Sequence, residues 1–159
     1  MNGITLALRT LHHGELGLAE HLMAVAERHR AEHEIHHVAT DLASWSRDHA
    51  RHLADTAAEY RVSLADSPDK AGEGLVALVP GTVGQRLEND LPVLRDLSEL
   101  HLAATYNSLW WEMLSRTAQA SKDSRLLALA SSCHPRTLRQ LHWINTMIKN
   151  LSPQMLTSL

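Results

Sequence analysis

The 159-residue chain has no phenylalanine, a single cysteine and no long apolar run. No apolar stretch approaches the ~18 residues that a membrane-spanning helix needs, so no membrane segment is expected. The N-terminal residues show neither the apolar region nor the cleavage site of a signal peptide. Since Cys133 has no second cysteine to pair with, a disulfide framework is excluded, and we expect a cytoplasmic protein.

An excess of positive charge is also missing. The chain has 15 Lys and Arg against 18 Asp and Glu, for a net charge of -3 with neutral histidine. Nucleic-acid-binding proteins normally carry a basic face, so we expect no nucleic-acid partner. Histidine, in contrast, is abundant, with 12 residues. Imidazole ligates metals and titrates near neutral pH, so this composition is compatible with a metal site, with a pH-responsive surface, or with a simple bias.

Four stretches show the apolar spacing of amphipathic helices. They are rich in Ala, Leu, Glu and Arg, which favour helix, and apolar residues recur in them every three or four positions. With 44% apolar residues, one domain covering residues 1–159 can form a real core. The pattern predicts helices at about residues 3–30, 33–61, 86–120 and 123–151. Pro135 is expected to kink the last helix, and Ser152–Pro153 to end it.

Residues 62–85 have a different texture. Gly and Pro punctuate this segment, although Leu75–Val79 is apolar and is compatible with a short strand or with an apolar plug on the bundle. A loop of this length normally has a structural reason, and a crossover between two parallel helices is the simplest. We therefore expect an all-α fold, namely a four-helix bundle with one long crossover connection between helices 2 and 3.

Each predicted helix interrupts its apolar stripe with a carboxylate or an imidazole. Burying such groups without partners is costly, so residues that converge at one level need each other, water or a metal ion. In sequence, Glu15 and His49 are nearly equidistant from the first predicted turn, whereas His101 and His134 are centred at about residue 118, about three residues before the second. The candidate metal ligands are Glu15, His49, His52, His101 and His134.

This arrangement resembles the ferritin-like superfamily, which includes rubrerythrins and bacterioferritins. Those proteins have a Glu on helices 1 and 3 and a Glu-x-x-His motif on helices 2 and 4. Glu15 matches the helix 1 carboxylate, and His101, or Glu99 beside it, takes the helix 3 position. His49-Ala50-Arg51-His52 keeps only the His of its motif, and His134-Pro135-Arg136-Thr137 keeps neither ligand.

The resemblance implies the ferritin-like fold, but the candidate ligands in this sequence imply a metal centre that differs from the carboxylate-rich centre of that superfamily. Several imidazoles with one carboxylate suit Fe or Zn, with Ni or Cu as further options, whereas a bridged metal pair needs more carboxylates. We therefore expect a mononuclear transition-metal centre of unassigned role, with enzymatic activity left open. The alternatives are a polar cluster without metal, and a non-enzymatic helical interaction module of ferritin-like fold that has lost its site.

Two further features point to sites at other places. Glu34-Ile35-His36-His37 is a literal Glu-x-x-His beside the first turn, and a hemerythrin-like protein is a second family option for a His-rich bundle. Trp110 and Trp111 point about 100° apart on a helix, so they cannot both face one core. We expect one of them to cover a neighbouring helix or a second subunit. Since bundles of the family that the chain resembles commonly pair, we also expect a homodimer.

Overall fold

The computed structural model describes residues 3–64 and 91–158, which form four helices: α1 (Gly3–Arg28), α2 (His33–Glu59), α3 (Pro92–Ser121) and α4 (Ser124–Thr157). The described residues contain no strand, so for this part of the chain the prediction of an all-α fold with four helices is confirmed. Residues 65–90, which include the apolar stretch Leu75–Val79 and the predicted start of the third helix, lie outside the described residues.

The helix ends follow local chemistry. α3 begins at Pro92. A backbone N–H in the first turn of a helix has no acceptor within that helix, so proline, which lacks this N–H, is well suited to the position. Asp123 caps α4 by accepting from two backbone N–H groups of its first turn, at 3.1 and 3.2 Å. α4 extends beyond Pro153 to Thr157, further than the sequence predicts. Hydroxyl groups satisfy carbonyls at this end of the helix, because Ser152 donates to Ile148 and Thr157 donates to Pro153.

α1 runs antiparallel to both α2 and α3. Its last residue, Arg28, pairs with Asp96 at the start of α3, whereas Glu15 in its middle meets Trp111 further along α3. On the other side, Glu15 lies beside His49 in the middle of α2. α1 therefore shares an antiparallel boundary with each of these helices.

α2 and α4 also run antiparallel. Ser46 in the middle of α2 accepts a hydrogen bond from Gln140, and Glu59 at the end of α2 pairs with Arg125 at the start of α4. Since α1 is antiparallel to both α2 and α3, these two helices point in the same direction.

A layer of buried polar side chains divides the core into two apolar clusters. One cluster surrounds the α1–α2 turn and includes Leu22, Ile35, Leu100 and Ile144; the other surrounds the α3–α4 turn and includes Leu8, Leu53, Leu114 and Leu126. We call the residues between the two clusters the polar layer; it consists of His12, Glu15, Ser46, His49, Asn107, Thr137 and Gln140. Every helix contributes to this layer at the middle of the bundle.

A buried aspartate joins α1 to α3 at the end of the bundle that holds the α1–α2 turn. Asp96 is 2% exposed and accepts from Arg28 Nε and Nη2 at 3.1 and 2.8 Å, while His29 Nε2 lies 2.6 Å away. Burial alone would raise the pKa of Asp96, but the hydrogen bonds and charges of Arg28 and His29 outweigh it and hold this pKa below its ordinary value of 3.8.

The opposite end is held by Tyr60, whose hydroxyl donates to Asp123. Burial and then this hydrogen bond raise the pKa of Tyr60 to about 12. The Tyr60 hydrogen bond is also the largest cause of the lowered pKa of Asp123. The residue that caps α4 therefore also ties α4 to the end of α2.

Membrane insertion finds no support in the described helices. None of the four is both long and apolar enough to cross a bilayer.

Replacing Asp96 with Asn should destabilise the fold by about 2–3 kcal/mol, because Arg28 and His29 then face a neutral group. Because folding lowers the pKa of Asp96, its stabilising contribution is present above pH 3.8 and is lost as the pH falls through the lowered value. Urea unfolding from pH 3 to 7 should show a difference between the wild type and D96N that shrinks in acid. The exposed Asp41→Asn is the control, and an equal effect of both variants would contradict the prediction.

Candidate functional site

Glu15 and His49 meet at the centre of the polar layer. Their side chains are 0% and 1% exposed, and His49 Nδ1 lies 3.3 Å from Glu15 Oε2. That distance suits an ion pair, but its geometry is not that of a hydrogen bond, and His49 Nε2 has no hydrogen-bond partner among the described residues. Three ligand-type atoms, namely Glu15 Oε2 and both nitrogens of His49, are thus buried without a hydrogen bond.

Trp111 orients this pair from α3. Its indole N–H donates to Glu15 Oε1 at 3.0 Å, and its ring meets the His49 ring edge-on with 6.1 Å between centroids. Trp111 is completely buried, whereas Trp110 is partly exposed and packs 6.4 Å from the Tyr106 ring. Trp111 therefore packs inside the bundle against Glu15 and His49, whereas Trp110 packs at the surface beside Tyr106.

The other three predicted ligands lie apart from the Glu15–His49 contact. His52 is exposed and lines an open groove of about 370 Å³ between α2 and α4. His101 lies 3.3 Å from the Thr105 hydroxyl of its own helix. His134 contacts Ser108 of α3 at 3.1 Å. Within residues 3–64 and 91–158, no group of three or more His, Cys, Asp or Glu side chains is arranged to hold a metal ion.

The alternative ligands also have other surroundings. Glu99 pairs with Arg95 at 3.3 Å, one turn away on α3. Near the first turn, the exposed rings of His33 and His37 stack at 6.0 Å, and His36 Nδ1 lies 2.8 Å from the carbonyl oxygen of Ala26. These contacts place Glu99 and the histidines of α2's first turn outside the polar layer.

Two amides of the polar layer were not among the predicted site residues. Gln140 bridges α4 and α2 by donating to Ser46 and to the carbonyl of Leu42. Asn107 packs against the backbone of Gly14, where an added Cβ would meet its Oδ1 at 2.1 Å. Both amides lie among the buried residues of their helices, so position on the apolar stripe is the sequence signal that marks them.

Cys133 borders this site as a buried thiol. Burial, and secondly the negative charge of Glu15, raise the pKa of Cys133 to about 12. The thiol is therefore protonated at neutral pH and behaves as a small apolar group unless a ligand displaces its proton.

Comparisons with known proteins do not extend this description. No protein-family model, no curated protein and no solved structure matches the chain.

Gly14→Ala should destabilise the protein by about 1–3 kcal/mol, because the methyl group would overlap the buried Asn107 amide. Gly17→Ala is the matched control on the same helix. Nothing lies within 4 Å of its added Cβ, so better helix propensity should stabilise the protein by about 0.5–1 kcal/mol. Chemical denaturation measures both effects. In an Asn107→Ala background the penalty at Gly14 should disappear; its persistence would refute the proposed overlap.

The thiol of Cys133 should resist Ellman's reagent at pH 8 in the folded protein, because the thiol is buried and its reactive thiolate form is disfavoured. Full reaction should appear in guanidinium chloride, which serves as the positive control. Equal rates in the folded and unfolded protein would contradict this placement of Cys133.

Proposed function

We propose that the chain is a ferritin-like four-helix protein that binds one transition-metal ion in the polar layer through Glu15 and His49. The observation that carries this proposal is that three ligand-type atoms on these two fully buried side chains, Glu15 Oε2 and both nitrogens of His49, have no hydrogen bond. Buried polar atoms are normally hydrogen-bonded, and an exception calls for a bound water or ion. A carboxylate oxygen and an imidazole nitrogen on facing helices are suitable donors for such an ion.

The helix directions support the ferritin-like layout. α2 ends beside the start of α4, at Glu59 and Arg125, whereas α3 begins beside the end of α1, at Asp96 and Arg28. These two places are opposite ends of the bundle, so a crossover connection between helices 2 and 3 is part of the proposal. In such bundles, cofactor and metal sites lie among core side chains of facing helices.

The ligand set proposed here is smaller than the five residues predicted from the sequence. Glu15 and His49 would hold the ion, while Trp111 keeps one carboxylate oxygen engaged and so directs the other toward His49. Remaining coordination positions would be filled by water. When bound, an ion of the predicted kinds, Fe or Zn with Ni or Cu as options, would supply Lewis-acid or, for Fe and Cu, one-electron chemistry.

Metal binding can be tested on protein purified without a His tag. Zn²⁺ titration by calorimetry and elemental analysis after Fe or Zn supplementation should give about one ion per chain. Glu15→Gln and His49→Gln should each weaken binding at least tenfold, because each removes a ligand from a two-ligand site. The Gln at position 15 keeps an acceptor for Trp111, and circular dichroism would verify that both variants stay folded.

His52→Ala and His134→Ala are the controls for the ligand set. Both should leave the affinity unchanged within about twofold, because neither side chain touches Glu15 or His49. Loss of binding in these variants as well would support the five-residue centre instead. Less than about 0.2 ion per chain in the supplemented wild type would refute a metal centre in the bundle.

A second candidate function is a non-enzymatic helical interaction module. A run of large apolar side chains on the outer face of α3 favours it, because such a patch is a typical protein-interaction surface. A wild-type protein that is folded but free of metal would leave this function as the better one. The cytoplasmic location, which rests on the cysteine content, stays a prediction.

A further inference from the structure

Four large apolar side chains are exposed along one face of α3. Leu102, Tyr106, Leu109 and Met113 are 38%, 40%, 58% and 46% exposed. Their spacing of four, three and four residues keeps them on one line along the helix. We call these four residues the α3 stripe.

We propose that the α3 stripe is the interface of a homodimer in which two α3 helices pack antiparallel about a twofold axis. The spacing of the stripe reads the same in both directions, so a second copy can match it residue for residue. Leu102 then faces Met113 of the other copy, and Tyr106 faces Leu109. A twofold interface requires this self-complementarity, because both chains use the same surface.

Charge at the two ends of the stripe favours the antiparallel register. Glu99 lies one turn before the stripe and Arg116 about one turn after it, so antiparallel packing brings each to the level of its opposite in the second copy. Parallel packing would instead place Glu99 beside Glu99 and Arg116 beside Arg116. Glu99 and Arg116 also pair with Arg95 and Glu112 of their own helix, so contacts between the copies would add to these pairs. Like charges at an interface are repulsive, so the antiparallel register suits Glu99 and Arg116 better.

The exposed area of the α3 stripe supplies about two thirds of what a specific dimer interface needs. At roughly 200 Å² for each large side chain, the exposed fractions amount to on the order of 400 Å² per chain. Two copies would bury about 800 Å² from the α3 stripe alone, and a specific interface needs about 1,200 Å² or more. Trp110, partly exposed and packed beside Tyr106, together with the flanking Glu99 and Arg116, supplies surface at the rim.

Light scattering between 1 and 100 µM tests the dimer directly. The wild type should approach twice the 17.7 kDa chain mass at the upper concentrations. Leu109→Lys should be monomeric throughout, with at least 100-fold weaker association, because it places a charge at the centre of the interface. Its thermal unfolding should change little, since Leu109 is 58% exposed within the chain.

Leu156→Lys is the matched control, because Leu156 is 57% exposed on α4, away from the α3 stripe. It should dimerise like the wild type. A monomeric wild type at 100 µM, a dimeric L109K, or an equal loss in L156K would each overturn the proposal.

Cross-linking tests the antiparallel register. The double variant Leu102→Cys, Met113→Cys should form a covalent dimer under mild oxidation, while Leu102→Cys alone should not. Positions 102 and 113 lie about 16 Å apart on one helix, so they cannot bridge within a chain. Cross-linking by the single variant, or none by the double variant, would refute the antiparallel register.

Discussion

The contact between Glu15, His49 and Trp111 is the constraint on which the rest of this bundle depends. A carboxylate with no exposed surface tolerates little displacement, because it must stay beside the few groups that can offset its desolvation. Those groups come from α2 and α3, so a single side chain of α1 sets the level of two neighbouring helices. Moving α1 by one turn, about 5.4 Å, would place Glu15 among leucines.

The rest of the polar layer extends this registration to α4. Gln140 reaches across to the Leu42 carbonyl and to Ser46 of α2, and Asn107 packs against Gly14 between α3 and α1. The two apolar clusters supply most of the burial but little directionality, since leucines pack almost as well in several registers. Buried polar groups do not by themselves stabilise a core, but they do distinguish one register from its neighbours.

The two proposed functions lie in different parts of the bundle, one in the interior and one on an outer face. The pair Glu15–His49 keeps atoms without hydrogen bonds inside the bundle, where an ion would find a carboxylate and an imidazole on facing helices. The α3 stripe offers apolar surface on the outside, and it is independent of what the interior holds. The ion pair of Asp96 and the hydrogen bond between Tyr60 and Asp123 close the two ends of the bundle.

The amino-acid sequence by itself determined the four helices and the convergence of Glu15 and His49. Both follow from periodicity, because apolar spacing marks the core face and equal separation from a turn brings antiparallel residues to one level. Only the tertiary structure decided the remaining ligand positions. His52 lies three residues after His49, and its ring reaches the surface groove; His134 sits at the α3–α4 edge beside Ser108. Apolar periodicity leaves the direction of each side chain around its helix axis uncertain by tens of degrees. That direction decides whether the side chain enters the core or the boundary between two helices.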